Sequence, residues 1–533
     1  MLRRVWKPLA ATTVLIGTPS YLYYTFTKQQ TFDLAVKVRG ADGIPIMANR
    51  TFSLLSQNAV KDRLVENASS DSFSRPDSTV WRYATASVAA NDPLEDAHAD
   101  AIIARDPSDP SAPGDWLFFT VMDGHGGPHT SRLLSKTLIN AVVLELSSLI
   151  HSQDVPKSGL LEKLKLMFRT SSPRFREDPQ NPERISLAIR NAFTKLDQEL
   201  INAPLSVLAA NLDAESIKKN ILPDLSKHPL ALQTMLPAVS GSCALMAVFD
   251  TAHRHLYVAC SGDSRAVAGI WEENEQGQGS WRVEVLSEDQ TGRNPNELKR
   301  IQSEHPPDEA GSVIRAGRVL GGLEPSRAFG DARSIQTIVD SGPFRLNRAF
   351  LVGNNQPLRS PPSSFKTPPY VTATPVVTHR DFDFGSVARP SRSPASRFVV
   401  LATDGLWDKL SSEDVVALVG GHLKGLKGVV SKTALPELVP TTSGAPTVEG
   451  KDKKRNSSSG SWSFEDENIS SHLIRNAFGG GDAENLRKLM SIPAPTARSY
   501  RDDTTVTVVW WEDGQEGKAK IVTFSSDNIK AKL

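Results

Sequence analysis

Leu94-Glu95-Asp96, Asp123-Gly124-His125-Gly126-Gly127, Asp404-Gly405 and Arg501-Asp502-Asp503 scatter acidic groups across roughly four hundred residues of the chain. Brought to about 5 Å, two carboxylates repel by roughly 3 kcal/mol at an effective dielectric of 20, so a cluster of four calls for protons or cations. The donors on offer are oxygens, with no Cys-x-x-Cys pair and no His-Glu-x-x-His. That set favours hard ions such as Mg²⁺ or Mn²⁺ over Zn²⁺. A two-metal hydrolase is the chemistry such a cluster suggests. Taken singly the motifs say little: an Asp-Gly is ordinarily a turn, and Glu95-Asp96 alone reads as a solvated pair or a first helical turn.

The elements that must position these groups are legible as apolar runs. Trp116 to Met122 and Arg397 to Thr403 read as buried strands that stop abruptly at Asp123-Gly124 and Asp404-Gly405. Asp502-Asp503 instead precedes its strand, the β-branched and aromatic run Thr504 to Trp511. If these strand ends converge, so do the carboxylates. Residues 128 to 150 carry Leu133, Leu134, Leu138, Val142 and Leu146 at helical spacing, and Asn294-Pro295 opens a capped helix running to His305. Cys243 to Phe249 and His255 to Cys260 flank Asp250-Thr251-Ala252-His253-Arg254 as a hairpin. Pattern alone does not separate antiparallel sheets from a parallel one.

In order, Pro93-Leu94-Glu95-Asp96-Ala97-His98, Val121-Met122-Asp123-Gly124-His125-Gly126-Gly127, Ser240-Gly241-Ser242-Cys243-Ala244, Gly262-Asp263-Ser264-Arg265-Ala266-Val267, Ser326-Arg327-Ala328-Phe329-Gly330-Asp331, Ala402-Thr403-Asp404-Gly405-Leu406-Trp407-Asp408 and Arg501-Asp502-Asp503 follow one another. This series resembles the metal-dependent protein phosphatases of type 2C from about Ser87 to Trp511. Ala89-Ala90-Asn91-Asp92-Pro93, Glu304-His305-Pro306, Arg318-Val319-Leu320-Gly321, Thr367-Pro368-Pro369-Tyr370 and Tyr500-Arg501-Asp502-Asp503 are similar to the mitochondrial pyruvate dehydrogenase phosphatase branch. The resemblance implies an α/β (α+β) four-layer sandwich, with two central antiparallel sheets flanked by helices. It implies hydrolysis of phosphoserine and phosphothreonine on proteins by water activated at a binuclear Mg²⁺ or Mn²⁺ centre, with pyruvate dehydrogenase as the first substrate to test.

By the same resemblance Asp123 bridges two metals, Glu95 and the Gly124 carbonyl complete one site, and Asp404 and Asp502 the other. Asp263 joins Asp404 at a third ion, or is a turn aspartate. Asp96 orients metal-bound water, Asp331 and Asp408 are supporting groups, and His125 is the general acid. His98 is a bystander. Many family members carry a phosphate-clamping arginine four residues before the glutamate; here Asn91 stands there, and an amide lacks the bidentate charged contact.

The chain has 533 residues, 39% apolar content and a net charge of +1, enough for a large core and without a global pull toward nucleic acid. One phosphatase domain over 75–515 is expected, swollen by insertions at Pro156–Arg184, Pro204–Pro237, Arg333–Pro369 and a disordered loop at 432–463 whose basic core is Lys451 to Arg455. Cys243 and Cys260 sit in apolar strands and read as buried free thiols of a reduced protein. Residues 1–30 read as a targeting segment: Arg3, Arg4 and Lys7 precede nineteen uncharged residues, Leu9 to Thr27, compatible with mitochondrial import and membrane anchoring. In the tail, 516–533, Ala531-Lys532-Leu533 resembles a peroxisomal address that an import receptor would read. The competing functions are an inactive phosphatase-like module that binds phosphoprotein, and a metal-dependent esterase of small phosphorylated metabolites.

Overall fold

The computed structural model describes residues 30–39, 44–74, 79–105, 114–151, 181–219, 223–274, 276–332, 365–381, 397–442 and 459–513. Both terminal address segments, most of the insertions at 156–184 and 333–369, and the Lys451–Arg455 run lie outside them. Among the described residues no helix is long and apolar enough to cross a membrane.

Two sheets organise the chain. The first has five strands, in the spatial order Val376–Asp381, His255–Ser261, Ala244–Asp250, Asp115–Met122 and Ala97–Ala104. The second has seven: Thr441–Thr442, Gly279–Val285, Arg265–Glu273, Arg397–Ala402, Thr504–Asp513, Thr79–Val88 and Ser69–Ser74. Every pairing in both is antiparallel except the short edge contact of Thr441–Thr442 with Trp281–Arg282.

Strand alternation builds the layers. Leu117, Phe119 and Val121 pack with Leu245, Ala247 and Phe249 against Val399, Leu401, Val509 and Trp511, filling the space between the sheets. The intervening residues face outward: Phe118, Met246 and Val248 meet the helices His129–His151 and Pro182–Ala210. On the other side Val400, Val506 and Val508 meet Ser412–Leu423 and Ile469–Phe478. Both faces of the central strands are buried, which is why they read as unbroken apolar runs. The result is helix, sheet, sheet, helix.

One expectation needs correction, and one segment is more structured than its sequence suggested. The candidate insertion Pro204–Pro237 is largely helical: it covers the end of the Pro182–Ala210 helix and most of Ala231–Val239, with Leu208, Leu225, Ala231 and Met235 sharing a small core. Disorder across 432–463 does not hold at its flanks, where Leu435–Leu438 is helical and Ser461–Phe464 pairs with Gly428–Ser431. Leu435, Val439, Trp462 and Phe464 bury into the outer helical core there. The polar average of the segment conceals these few anchors.

Glu304-His305-Pro306 and Thr367-Pro368-Pro369-Tyr370 build a separate small lobe. Its core is Ile301, Val313, Val319, Ala328, Tyr370 and Val371, with the His305 ring stacked on Tyr370 at 4.6 Å. Within this lobe Arg327 is held by Glu297 at 2.7 Å, and it reaches the Thr374 carbonyl, just ahead of the Val376–Asp381 strand, at 2.6 Å.

Candidate active site

All the acidic motifs fall at one end of the sandwich, where the chain turns or crosses between sheets. Glu95 and Asp96 lie between Thr79–Val88 of one sheet and Ala97–Ala104 of the other, and Asp263 lies between His255–Ser261 and Arg265–Glu273. Asp123 and Asp404 follow their strands directly or by one residue, and Asp502 precedes its own. Register fixes the convergence: Ala402 pairs with Arg265 and Val506, Thr504 with Val88, and Met122 with Ala97.

Oxygens of Asp123, Asp263 and Asp404 lie within 4.8 Å of one another. The Asp404 amide donates to Asp123 Oδ2 at 3.2 Å, and the Cys243 amide to the Asp123 carbonyl at 2.9 Å. Burial first, then Asp404 and Asp96, push the Asp123 carboxyl well above its ordinary range. Asp96 is driven the same way by burial and Asp503; its Oδ2 accepts from Thr403 at 2.9 Å, while Oδ1 is buried with no hydrogen-bond partner. Clustered, solvent-shielded carboxylates with an unsatisfied oxygen fit divalent cations, and the donors are hard oxygens. Asp263 is thus with the cluster, not in an isolated turn. Its Oδ1 also accepts from Cys243 Sγ at 3.2 Å, and burial followed by Asp263 and Asp123 keeps that cysteine a thiol. Both cysteines are buried and free.

Glu95 and Asp502 stand at the rim. Burial and Asp503 raise the Glu95 carboxyl, which the Gly127 amide, Arg498 and His125 offset in part. Asp502 forms an ion pair with Arg498. Gly124 has to be glycine: a Cβ there would sit 2.1 Å from the Glu95 carbonyl oxygen and 2.9 Å from Ser131 Oγ. Asp408 closes the short helix Asp404–Trp407, its amide donating to the Asp404 carbonyl at 2.8 Å.

His125 and Asp331 form a pair, Nε2 to Oδ2 at 2.7 Å. Burial lowers the basicity of the imidazole, but Asp331 outweighs it and the net effect is upward. Asp331 has φ 48°, an uncommon conformation for a residue with a side chain, held by its amide donating to the Ser240 carbonyl at 3.0 Å. His98 is pushed toward its neutral form by burial and lies away on Ala97–Ala104.

Two groups were not recognised from sequence. Asp503 is the organiser of the Glu95 loop: Oδ1 accepts from the Ala90 and Asn91 amides at 2.5 and 2.9 Å, and Oδ2 from Asn91 Nδ2 and the Glu95 amide at 3.0 and 2.9 Å. The Asn91 amide is therefore engaged in holding the loop. Arg498, half exposed, brings a guanidinium to the cluster, where its charge is felt at Glu95, Asp502, Asp404 and Asp123. No motif marks it; only the turn of Thr496–Ser499 four residues before Asp502 could have drawn notice.

Residues 84–435 match the profile of the protein phosphatase 2C family. The chain belongs to that family. It is 35% identical over 466 residues to the mitochondrial pyruvate dehydrogenase (acetyl-transferring) phosphatase 1 of Saccharomyces cerevisiae, covering 83% of this chain and 70% of that protein. A protein phosphatase 2C homolog of Schizosaccharomyces pombe is 34% identical, with 81% of each chain covered. The mitochondrial pyruvate dehydrogenase phosphatase 1 of Rattus norvegicus is 32% identical, covering 79% of this chain and 75% of the relative. The chain is a metal-dependent protein serine/threonine phosphatase of α+β sandwich fold.

Proposed function

We propose that the chain dephosphorylates phosphoserine on the pyruvate dehydrogenase component, in the mitochondrion, with Mg²⁺ or Mn²⁺ held by Asp123, Glu95, the Gly124 carbonyl, Asp404 and Asp502. Asp263 serves a third ion. The substrate and compartment rest on the names of the relatives in Saccharomyces cerevisiae and Rattus norvegicus. The observation that carries the chemistry is the carboxylate cluster of Asp123, Asp263 and Asp404 beside the His125–Asp331 pair. Divalent ions at such a cluster supply an activated water and positive charge for the phosphoryl group.

The protein's own groups divide the remaining work. Asp96 and Asp503 hold the Glu95 loop and its carboxylates in place. Asp331 grips Nε2 of His125, so the proton for the departing serine oxygen leaves from Nδ1. Arg498, paired with Asp502 at the rim, turns its guanidinium to the phosphoryl oxygens when Asp502 holds an ion, a charged bidentate contact that the Asn91 amide cannot make. The pairing of Thr79–Val88 with Thr504–Asp513 supports reading 75–515 as one catalytic unit.

Incubating the full chain and Mg²⁺ with phosphorylated pyruvate dehydrogenase tests the substrate. Release of phosphate is expected; no release while phosphoserine peptides are turned over would remove pyruvate dehydrogenase as the substrate. The relatives lend no support to a membrane anchor or to a peroxisomal receptor at Ala531-Lys532-Leu533. Imaging a fusion tagged at the N-terminal side, with and without Leu533, decides the latter: unchanged localisation removes it.

A further inference from the structure

At the far end of the sandwich, two histidines and an aspartate converge on the edge strand of the five-stranded sheet. His255 begins the strand whose other end leads to Asp263, so six residue steps, about 20 Å of extended chain, separate it from the catalytic end. His255 is paired across the sheet with Asp381, and Tyr257 with His379. Residues two apart on a strand share a face, so all three polar side chains project on the same side.

The spacing is that of ligands around one ion. His255 Nε2 and His379 Nε2 each lie 3.3 Å from Asp381 Oδ1, and all three atoms fall within 4.8 Å of one another. Adjacent corners of a tetrahedron with metal–ligand bonds of 2.0–2.1 Å are about 3.3 Å apart. His379 Nε2 is shielded from solvent and has no hydrogen-bond partner, so its proximity to Asp381 is not explained by a hydrogen bond. Tyr257 Oη stands 3.1 Å from His255 Nδ1, the outer contact that orients a ligating imidazole. The two imidazoles cross at 66° with ring centres 4.6 Å apart, so they do not stack. Asp381 is 82% exposed, which leaves the fourth corner open to water.

We propose that His255, His379 and Asp381 bind a Zn²⁺-class ion that fastens the Val376–Asp381 edge strand to the sheet. Two imidazoles and a carboxylate select a borderline ion, whereas the all-oxygen catalytic cluster selects harder ones. The ion satisfies the buried nitrogen of His379 and clips an edge that, among the described residues, pairs with the sheet through His255–Ser261 alone.

The test uses the full-length chain carrying Asp123→Asn, which weakens ion binding at the catalytic end. Zinc is titrated against a chromophoric chelator, and Co²⁺ is added as an absorption probe of tetrahedral geometry. Expected are one tight zinc per chain, a tetrahedral Co²⁺ spectrum and a zinc-dependent rise in melting temperature. All three should be lost when His379→Gln or Asp381→Ala is added. Asp381 is exposed, so its variant remains informative should the His379 change impair folding. Absence of tight zinc in the Asp123→Asn chain, or zinc and the Co²⁺ spectrum persisting in both added variants, would overturn the site.

Discussion

A serine alkoxide is a poor leaving group, and the proton it needs distinguishes a general acid from a bystander histidine. His125 is held by Asp331 within 2.7 Å. His125→Ala should slow hydrolysis of phosphoserine peptides by roughly 10²- to 10⁴-fold, yet slow that of p-nitrophenyl phosphate far less, because its phenolate leaves without a proton. Equal losses on both substrates would make His125 structural. Arg498 is tested through binding: Arg498→Ala should raise KM and weaken inhibition by inorganic phosphate roughly ten- to a hundredfold, the range of a charge-assisted contact. Unchanged phosphate inhibition would return the clamp to an unidentified group. Glu95 and His125 were assigned through the order of motifs and the family resemblance, whereas Asp123, Asp404 and Asp502 could be singled out in the sequence because each sits beside a recognisable strand end. Arg498, Asp331 as partner to His125, and Asp503 as organiser of the Glu95 loop could not, since their roles depend on which residues meet them across more than two hundred positions or one turn of backbone.

The strands and their turns decide whether those side chains meet. Gly124 packs so closely beneath the Glu95 carbonyl that Gly124→Ala should cost about 1–3 kcal/mol of stability and displace Glu95. Weakened Mn²⁺ binding measured by calorimetry, together with a lowered melting temperature, is the expected pair of results. Glu297 on the Pro295–Glu304 helix holds the small lobe together through Arg327, Arg300 and Ser326. Burial disfavours its charge, but Arg327 and Arg300 prevail and depress its pKa from 4.5 to about 2. Its contribution, roughly 3 kcal/mol, is complete above pH 4.5 and is lost as pH falls toward 2. Glu297→Gln should therefore lower stability at pH 7 and flatten the acid limb of denaturation between those values. The central strands were legible as apolar runs because both of their faces are buried. Their antiparallel pairing was not, since the same composition serves a parallel sheet; that expectation came from the resemblance. The flanks of 432–463 escaped notice because a few anchors, Leu435 and Trp462 among them, carry a segment that is polar on average.

At the scale of the molecule, the four layers make the active site a property of long-range closure. The Thr79–Val88 strand is completed by Thr504–Asp513, more than four hundred residues later, and that pairing places Asp502 and Asp503 beside the Glu95 loop. A net charge of +1 gives no global pull toward nucleic acid, and it is the family match and the relatives, not the charge balance, that identify the chemistry. The central claim is that Asp123 anchors the cations on which turnover depends. Phosphoserine-peptide hydrolysis by the full chain should require added Mg²⁺ or Mn²⁺, cease with chelator, return on re-addition of the ion, and be abolished by Asp123→Asn in a protein that still folds. Turnover that survives chelation, or that persists in folded Asp123→Asn, would contradict it.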